Sequence, residues 1–180
     1  PAQNGPDERL LPDGPVWRSM ERIVTERLTL EPMCCAEMAA HAAACREADP
    51  ELSAAYREML DGCRANPGQW LWYTAWKMLL RDGTEIGDAC FKGFSADGRA
   101  EIGYGIGAAY WGRGYATEGA AALCRWALEN GARTLEAEAA PENAASMRVL
   151  EKLGFQRQRE FLYRVSGRKK QMYRYEKRLE

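Results

Sequence analysis

Two glycines that flank one arginine, Gly112-Arg113-Gly114, stand where a strand-like segment gives way to a helix-like one. Because glycine has no Cβ, the chain can turn tightly there and direct successive backbone amides at one point. Free amides at the N-terminus of a helix, together with the helix dipole, favour an anion such as a phosphate or pyrophosphate. The same residues also fit a plain strand-to-helix turn, and the motif alone does not decide between the two.

Two well-known phosphate motifs do not fit this segment. Gly107 and Gly112 have the spacing of a Walker A loop, but Arg113-Gly114 stands where that loop has Lys and Ser or Thr. Thr117 does not supply the third Gly or Ala of the dinucleotide fingerprint. The sequence therefore predicts a site that holds phosphate through backbone amides, with Arg113 either adding a charge contact or remaining solvated.

Acid–base chemistry in this chain is expected to rest on carboxylates. The single histidine, His41, lies on a predicted Ala-rich helix away from the glycine motif. Glu101, at the start of a predicted central strand, is the first candidate for a general base, and a solvent-facing strand position is the alternative. Glu136 and Glu138 are further candidates for binding a cationic substrate.

Two other side chains near the motif are expected to have structural roles. Glu118 lies just inside the helix that follows the loop, where a negative charge stabilises the helix N-terminus. Cys124 lies on the apolar face of that helix, and a buried cysteine is usually inert, so covalent catalysis is not favoured.

The apolar pattern predicts the elements that position these residues. The order is a first strand ended by Pro32, two helices, a meander of three antiparallel strands, a helix, a short strand, a helix and a final hairpin across Gly167. The segments after the first strand cover about 36–46, 50–66, 70–80, 85–93, 100–107, 117–130, 134–140, 143–153, 155–165 and 171–179. This order is typical of an α+β fold or a mixed-sheet sandwich.

Composition limits the class of protein. The 180 residues, with 25 basic and 26 acidic side chains, predict one domain over residues 20–180 after an arm or linker over residues 1–19. Near-neutral charge argues against nucleic acid as a partner, and the lack of a long apolar run argues against a membrane. No C-x-x-C motif occurs among six cysteines and no signal segment is recognised, so a cytoplasmic protein with reduced thiols is expected.

The segment YWGRGYATEG, followed after a helix and a strand by NAASMRVLEKLGF, resembles the GNAT superfamily of acyl-CoA N-acyltransferases. The opening MERIVTERLTLEP makes the chain most similar to the RimJ/RimL-like branch, named for ribosomal-protein N-terminal acetyltransferases. The resemblance implies a GNAT-like mixed, mostly antiparallel sheet, with helices on both faces and a splayed strand pair that holds acyl-CoA. It also implies acetyl-CoA as co-substrate, with no metal.

The resemblance implies site residues at the matching positions. The pyrophosphate loop corresponds to Trp111, Gly112, Arg113, Gly114, Tyr115, Ala116 and Thr117, and the strand end beside the pantetheine corresponds to Ile106, Gly107 and Ala108. Asn143 caps a helix and contacts the pantetheine, and the amide near Ile106 donates to the thioester oxygen. Many relatives have a tyrosine where this chain has Leu150, and Ser146 is the substitute that the resemblance suggests for stabilising the thiolate.

The resulting expectation is an N-acetyltransferase that moves an acetyl group directly to a primary amine. The amine is a protein N-terminus or a small cationic molecule, since residues 1–155 are acidic whereas residues 156–180 carry nine basic and three acidic side chains. A catalytically inactive acyl-CoA-binding or interaction module is the alternative, and a homodimer is suggested by resemblance alone. The aromatic residues Trp70, Trp72, Tyr73 and Trp76 are expected in the core rather than in an acceptor pocket.

Overall fold

Alternating apolar residues and tight turns give this chain one eight-stranded sheet. The computed structural model describes residues 21–165 and 168–180, so the predicted arm over residues 1–19 and the turn at Gly167 lie outside the described residues. The strands are β1 Ile23–Val24, β2 Leu28–Pro32, β3 Ala75–Leu80, β4 Glu85–Phe91, β5 Arg99–Ile106, β6 Thr134–Ala139, β7 Gln156–Val165 and β8 Arg168–Arg178. The helices are α1 Cys35–Ala44, α2 Pro50–Ala65, α3 Tyr115–Glu129 and α4 Ala144–Lys152.

The sheet has the order β1-β2-β3-β4-β5-β6-β8-β7. Neighbouring strands are antiparallel except for β5 and β6, which are parallel. The predicted mixed, mostly antiparallel sheet of an α+β fold is therefore confirmed. None of the helices in the described part of the chain is long and apolar enough to cross a membrane.

Helices cover both faces of the sheet. On β3, Trp76 and Met78 belong to the larger core, to which α3 contributes, whereas Ala75 belongs to a second core with α1 and α2. Lys77, on the same face as Ala75, reaches Glu37 of α1 at 2.5 Å. The face of the sheet covered by α1 and α2 is called the opposite face, because it lies opposite the face covered by α3 and α4.

Two strand predictions were wrong in their bounds. The predicted first strand is two short strands, and Pro32 is the last residue of β2 rather than a residue outside it. The strand predicted from residue 70 begins only at Ala75, because residues 67–72 form 3-10 helical turns. The aromatic residues there serve the core, since Trp72 stacks on Phe94 with ring centroids 4.2 Å apart.

The helix bounds follow local capping. Asp49 accepts a hydrogen bond from the Leu52 amide at 2.9 Å, which caps α2 as predicted. Helix α3 begins at Tyr115, two residues earlier than predicted, because Gly114 already acts as its N-cap. The expected core positions of Trp72 and Trp76 are confirmed, and Trp70 and Tyr73 are partly buried against the second core.

Candidate active site

The centre of the sheet opens where β5 and β6 diverge. The two strands pair only from Arg99 opposite Thr134 to Glu101 opposite Glu136, although β5 continues to Ile106. On its other edge, β6 pairs with β8 over its whole length. The edge of β5 from residue 102 onward therefore faces a gap, and an unpaired strand edge can hydrogen-bond an extended ligand.

The loop after β5 is fixed at the wide end of this gap. The Trp111 indole Nε1 donates a hydrogen bond to the Ile106 carbonyl at 2.6 Å, while the indole ring is 69% exposed. The Gly107 amide donates to the Ile86 carbonyl at 2.8 Å, so it is already used within the sheet. Ala108 begins a short 3-10 turn and is exposed.

A row of unused backbone amides follows. Gly114 has the left-handed φ of 80° and serves as N-cap of α3. The first amide of the helix that finds a backbone partner is that of Glu118, which donates to the Gly114 carbonyl at 3.0 Å. Among the described residues, no hydrogen bond uses the amides of residues 112–117. Six such amides at a helix N-terminus form a suitable site for a pyrophosphate.

Glu118 links the start of α3 by hydrogen bonds to residues between β1 and β2. Its carboxylate accepts hydrogen bonds from the Thr25 hydroxyl at 2.6 Å and from the Arg27 amide and Nε at 2.8 and 2.7 Å. Burial alone would raise the pKa of Glu118, but these hydrogen bonds hold the pKa below its usual value. Arg27 also donates to the Arg113 carbonyl at 2.8 Å, so it fixes the loop beside Gly114.

The N-terminus of α4 faces β5. The Asn143 Oδ1 accepts a hydrogen bond from the Ser146 amide at 3.0 Å, which makes Asn143 the N-cap. The Ser146 hydroxyl lies 3.1 Å from the hydroxyl of Tyr104, which also donates to the Ser146 carbonyl at 3.2 Å. Leu150, one turn further along the helix, is fully buried in the core.

Tyr104 lies in the candidate site through its contacts with Ser146, and the sequence alone did not single it out. Period-two alternation along β5 places residues 100, 102 and 104 on the face toward α3 and α4, and this signal was available. The identity of its hydrogen-bond partner was not available, because Ser146 is 42 residues away in sequence. Burial raises the pKa of Tyr104, although the contact with Ser146 lowers it.

The acidic candidates lie on the opposite face, and each has a cationic partner. Glu101 contacts Lys92 Nζ and lies 3.6 Å from Arg174, with its side chain only 16% exposed, so it is not a solvent-facing strand residue. Glu136 pairs with Arg99 and Arg174, each at 2.8 Å, and Glu138 also pairs with Arg174. Neither Glu136 nor Glu138 is thus a free carboxylate.

The structure therefore brings the predicted residues together in three groups. The loop residues line the mouth of the gap, Asn143 and Ser146 lie at the start of α4, and Glu101 marks the closed end where β5 still pairs with β6. Cys124 is buried as expected, and burial raises the pKa of its thiol to about 11. An un-ionised buried thiol is a poor nucleophile.

Comparison with known proteins gives one family and one fold. The family model described as "Acetyltransferase (GNAT) domain" matches residues 27–156. The chain is 33% identical over 86 residues to the uncharacterized N-acetyltransferase p20 of Bacillus licheniformis, and the match spans 45% of this chain and 47% of that protein. The chain thus covers about half the length of this curated relative.

Solved structures share the fold at lower identity. The ribosomal-protein-S5-alanine acetyltransferase of Vibrio fischeri superposes with a TM-score of 0.72 at 16% identity, over 88% of this chain and 97% of that one. RimL, the ribosomal L7/L12 alpha-N-protein acetyltransferase solved in complex with coenzyme A, gives a TM-score of 0.71 at 16% identity, over 88% and 98%. The fold expected from the resemblance to the RimJ/RimL-like branch is therefore confirmed.

Proposed function

Because this chain belongs to the acetyltransferase (GNAT) domain family, we propose that it is an acetyl-CoA-dependent N-acetyltransferase that acts on a primary amine. One observation carries the proposal. The gap between β5 and β6 opens beside six backbone amides that no other described residue uses. This combination suits a ligand that has both an extended, amide-bearing arm and a pyrophosphate.

Each part of the gap has a role in this proposal. The amides of residues 112–117 bind the pyrophosphate, with Arg113 as a neighbouring positive charge. The free edge of β5 near Ile106 binds the extended arm, and Asn143 and Ser146 complete the wall formed by α4. Acetyl-CoA, when bound, supplies an acetyl group activated as a thioester.

Direct transfer requires a proton acceptor, a carbonyl contact and a stabilised leaving group. The amine nitrogen forms a bond to the carbonyl carbon, the carbon–sulfur bond breaks, and the nitrogen loses a proton. We propose that Glu101 receives this proton, directly or through water, and that the Ile106 amide hydrogen-bonds the carbonyl oxygen. Ser146, hydrogen-bonded to Tyr104, is proposed to donate to the sulfur as it becomes a thiolate.

Two kinds of amine fit the proposal. RimL, by its name, acetylates the alpha-amino group of a ribosomal protein, and this structural neighbour supports a protein N-terminus as the acceptor. The acidic body of residues 1–155 supports a small cationic amine equally well. A catalytically inactive acyl-CoA-binding module is the second candidate, because Leu150 places a buried apolar side chain where many relatives have a tyrosine.

Release of free thiol from acetyl-CoA tests the proposal. The amines tested form a panel of peptides with free N-termini, polyamines and aminoglycosides. A matched reaction without amine gives the background rate of thiol release. We expect amine-dependent thiol release, unchanged in a Cys124→Ala variant because transfer is direct. Tight coenzyme A binding without turnover of any amine would instead support the inactive module.

A further inference from the structure

One carboxylate on the opposite face lies beside an open space. Asp88 of β4 is the direct partner of Gly105 on β5, and side chains of directly opposed residues share one face of the sheet. A Cβ added to Gly105 would meet no atom within 4 Å. Open space over the part of β5 that has separated from β6 therefore lies on the same face of the sheet as Asp88.

Asp88 is held by a hydrogen bond, and no described residue forms an ion pair with it, although the nearby charge of His41 partly offsets the effect of burial on its pKa. The hydroxyl of Tyr56, a buried residue of α2, donates a hydrogen bond to Asp88 Oδ2. Lys77 is the cross-strand neighbour on β3, yet its ammonium group pairs with Glu37 at 2.5 Å. No ion pair among the described residues includes Asp88. The pKa of Asp88 is raised because burial disfavours its charge.

The other ionisable groups near Asp88 are also engaged. His41 of α1 bonds the side chain of Glu85 at 2.9 Å through Nε2, and its Nδ1 lies 2.9 Å from the Glu37 carbonyl. Asp88 differs in this respect from Glu101, whose carboxylate contacts Lys92 and Arg174. A partly buried carboxylate without a counter-ion is costly, and a bound cation offsets that cost.

A β-bulge in β4 and a glycine next to Asp88 bring the backbone of β4 close to that of β5. Met78 pairs with Gly87 and Leu79 pairs with Glu85, so Ile86 is an extra residue that forms a β-bulge in β4. A Cβ on Gly87 would lie 2.1 Å from the Gly105 carbonyl oxygen. Bulges of this kind commonly direct side chains next to active sites.

We propose that Asp88, held by Tyr56, binds the ammonium group of the acceptor in the open space over Gly105. This inference rests on the proposed function and gives the acceptor class as an amine that arrives as a cation. Asp88 acts in binding the charged acceptor over Gly105, whereas Glu101, four residues away along β5, is proposed to receive the proton through water. The two carboxylates therefore affect different kinetic constants.

Carbon-13 NMR of the coenzyme A-bound protein, labelled at aspartate side-chain carboxyl carbons, tests the site directly. An Asp88→Asn variant identifies the Asp88 signal, and thermal melting verifies that this isosteric variant is folded. We expect the signal to shift on titration with n-butylammonium and not with butan-1-ol. No shift with n-butylammonium, or an equal shift with butan-1-ol, overturns the inference.

Kinetics provide the second test. With an amine that the enzyme acetylates, Asp88→Asn should raise the KM for the amine by about tenfold or more, with little change in the KM for acetyl-CoA. The control is Glu85→Gln, which changes a neighbouring exposed carboxylate. An unchanged amine KM in Asp88→Asn overturns the inference. If no amine is acetylated, the proposed function fails, and the NMR titration still decides whether Asp88 binds an ammonium group.

Discussion

The hydroxyl groups of Tyr104 on β5 and Ser146 on α4 lie 3.1 Å apart. This contact joins the strand that borders the gap to the helix that forms its wall. If Ser146 stabilises the leaving thiolate, Tyr104 positions the serine hydroxyl through this contact. Tyr104→Phe should then lower kcat by about tenfold, less than the loss of a general acid itself because Tyr104 acts only through Ser146, with a smaller change in the KM for acetyl-CoA.

The control for this prediction is Tyr163→Phe, which alters an exposed tyrosine on β7. A double variant, Tyr104→Phe with Ser146→Ala, should be no slower than Ser146→Ala alone, because the two hydroxyls act as one unit. Full additivity of the two single effects would show that Tyr104 acts independently of Ser146.

Gly114 allows a second prediction, with a closely matched control on the same helix. Gly114 and Gly131 both have a left-handed φ, of 80° and 96°, at opposite ends of α3. Alanine at either position should therefore cost similar backbone strain of about 1 kcal/mol. Calorimetric titration should show that Gly114→Ala weakens coenzyme A binding strongly, whereas Gly131→Ala leaves it unchanged. Equal affinities in the two variants would refute binding at the loop.

Glu118 makes the stability of the loop depend on pH. The pKa of Glu118 is lower in the folded state than in the unfolded state, where it is about 4.3. Ionised Glu118 therefore stabilises the folded protein fully above that unfolded pKa, and this stabilisation is lost as the pH falls through the folded pKa. Glu118→Gln should reduce the free energy of unfolding by about 1–2 kcal/mol at pH 7. Urea unfolding of the wild-type protein and of Glu118→Gln at pH 7, 5 and 4 measures the difference in the free energy of unfolding. A difference that grows toward low pH would contradict the assignment.

Glu101 is tested by the pH dependence of the rate. Glu101→Gln should lower kcat more than it changes the affinity for acetyl-CoA, because the proposed role concerns the proton and not the coenzyme. The dependence of kcat on pH should also differ from that of the wild-type enzyme. Glu136→Gln, which alters another carboxylate of the same ion-pair network, controls for a purely structural effect. An unchanged profile would remove Glu101 as the base.

Local signals predicted much of this molecule. The cap at Asp49, the glycine loop and the start of α4 at Asn143 depend on a few adjacent residues, and they lie where the sequence indicates. The prediction of a strand in the aromatic-rich segment before β3 is wrong, because large aromatic side chains favour both strands and buried turns. Tertiary packing decided between these two structures.

Long-range pairing explains what sequence reasoning missed. The sequence presents Glu101, Glu136 and Glu138 as candidate carboxylates, yet Arg174 of β8 reaches all three. Strand β8 is far from β5 in sequence but is separated from it in the sheet only by β6. The position of Asp88 beside Tyr56 likewise depends on α2 covering β4, a contact between residues 32 positions apart. Neither juxtaposition leaves a local pattern in the sequence.

Product analysis after incubation with carbon-13-labelled acetyl-CoA tests the central claim most directly. Each amine of the panel is incubated with the wild-type protein and analysed by mass spectrometry. We predict that at least one primary amine gains a single labelled acetyl group on nitrogen and that no label remains on Cys124. A protein that binds acetyl-CoA but leaves every amine unlabelled would contradict the account.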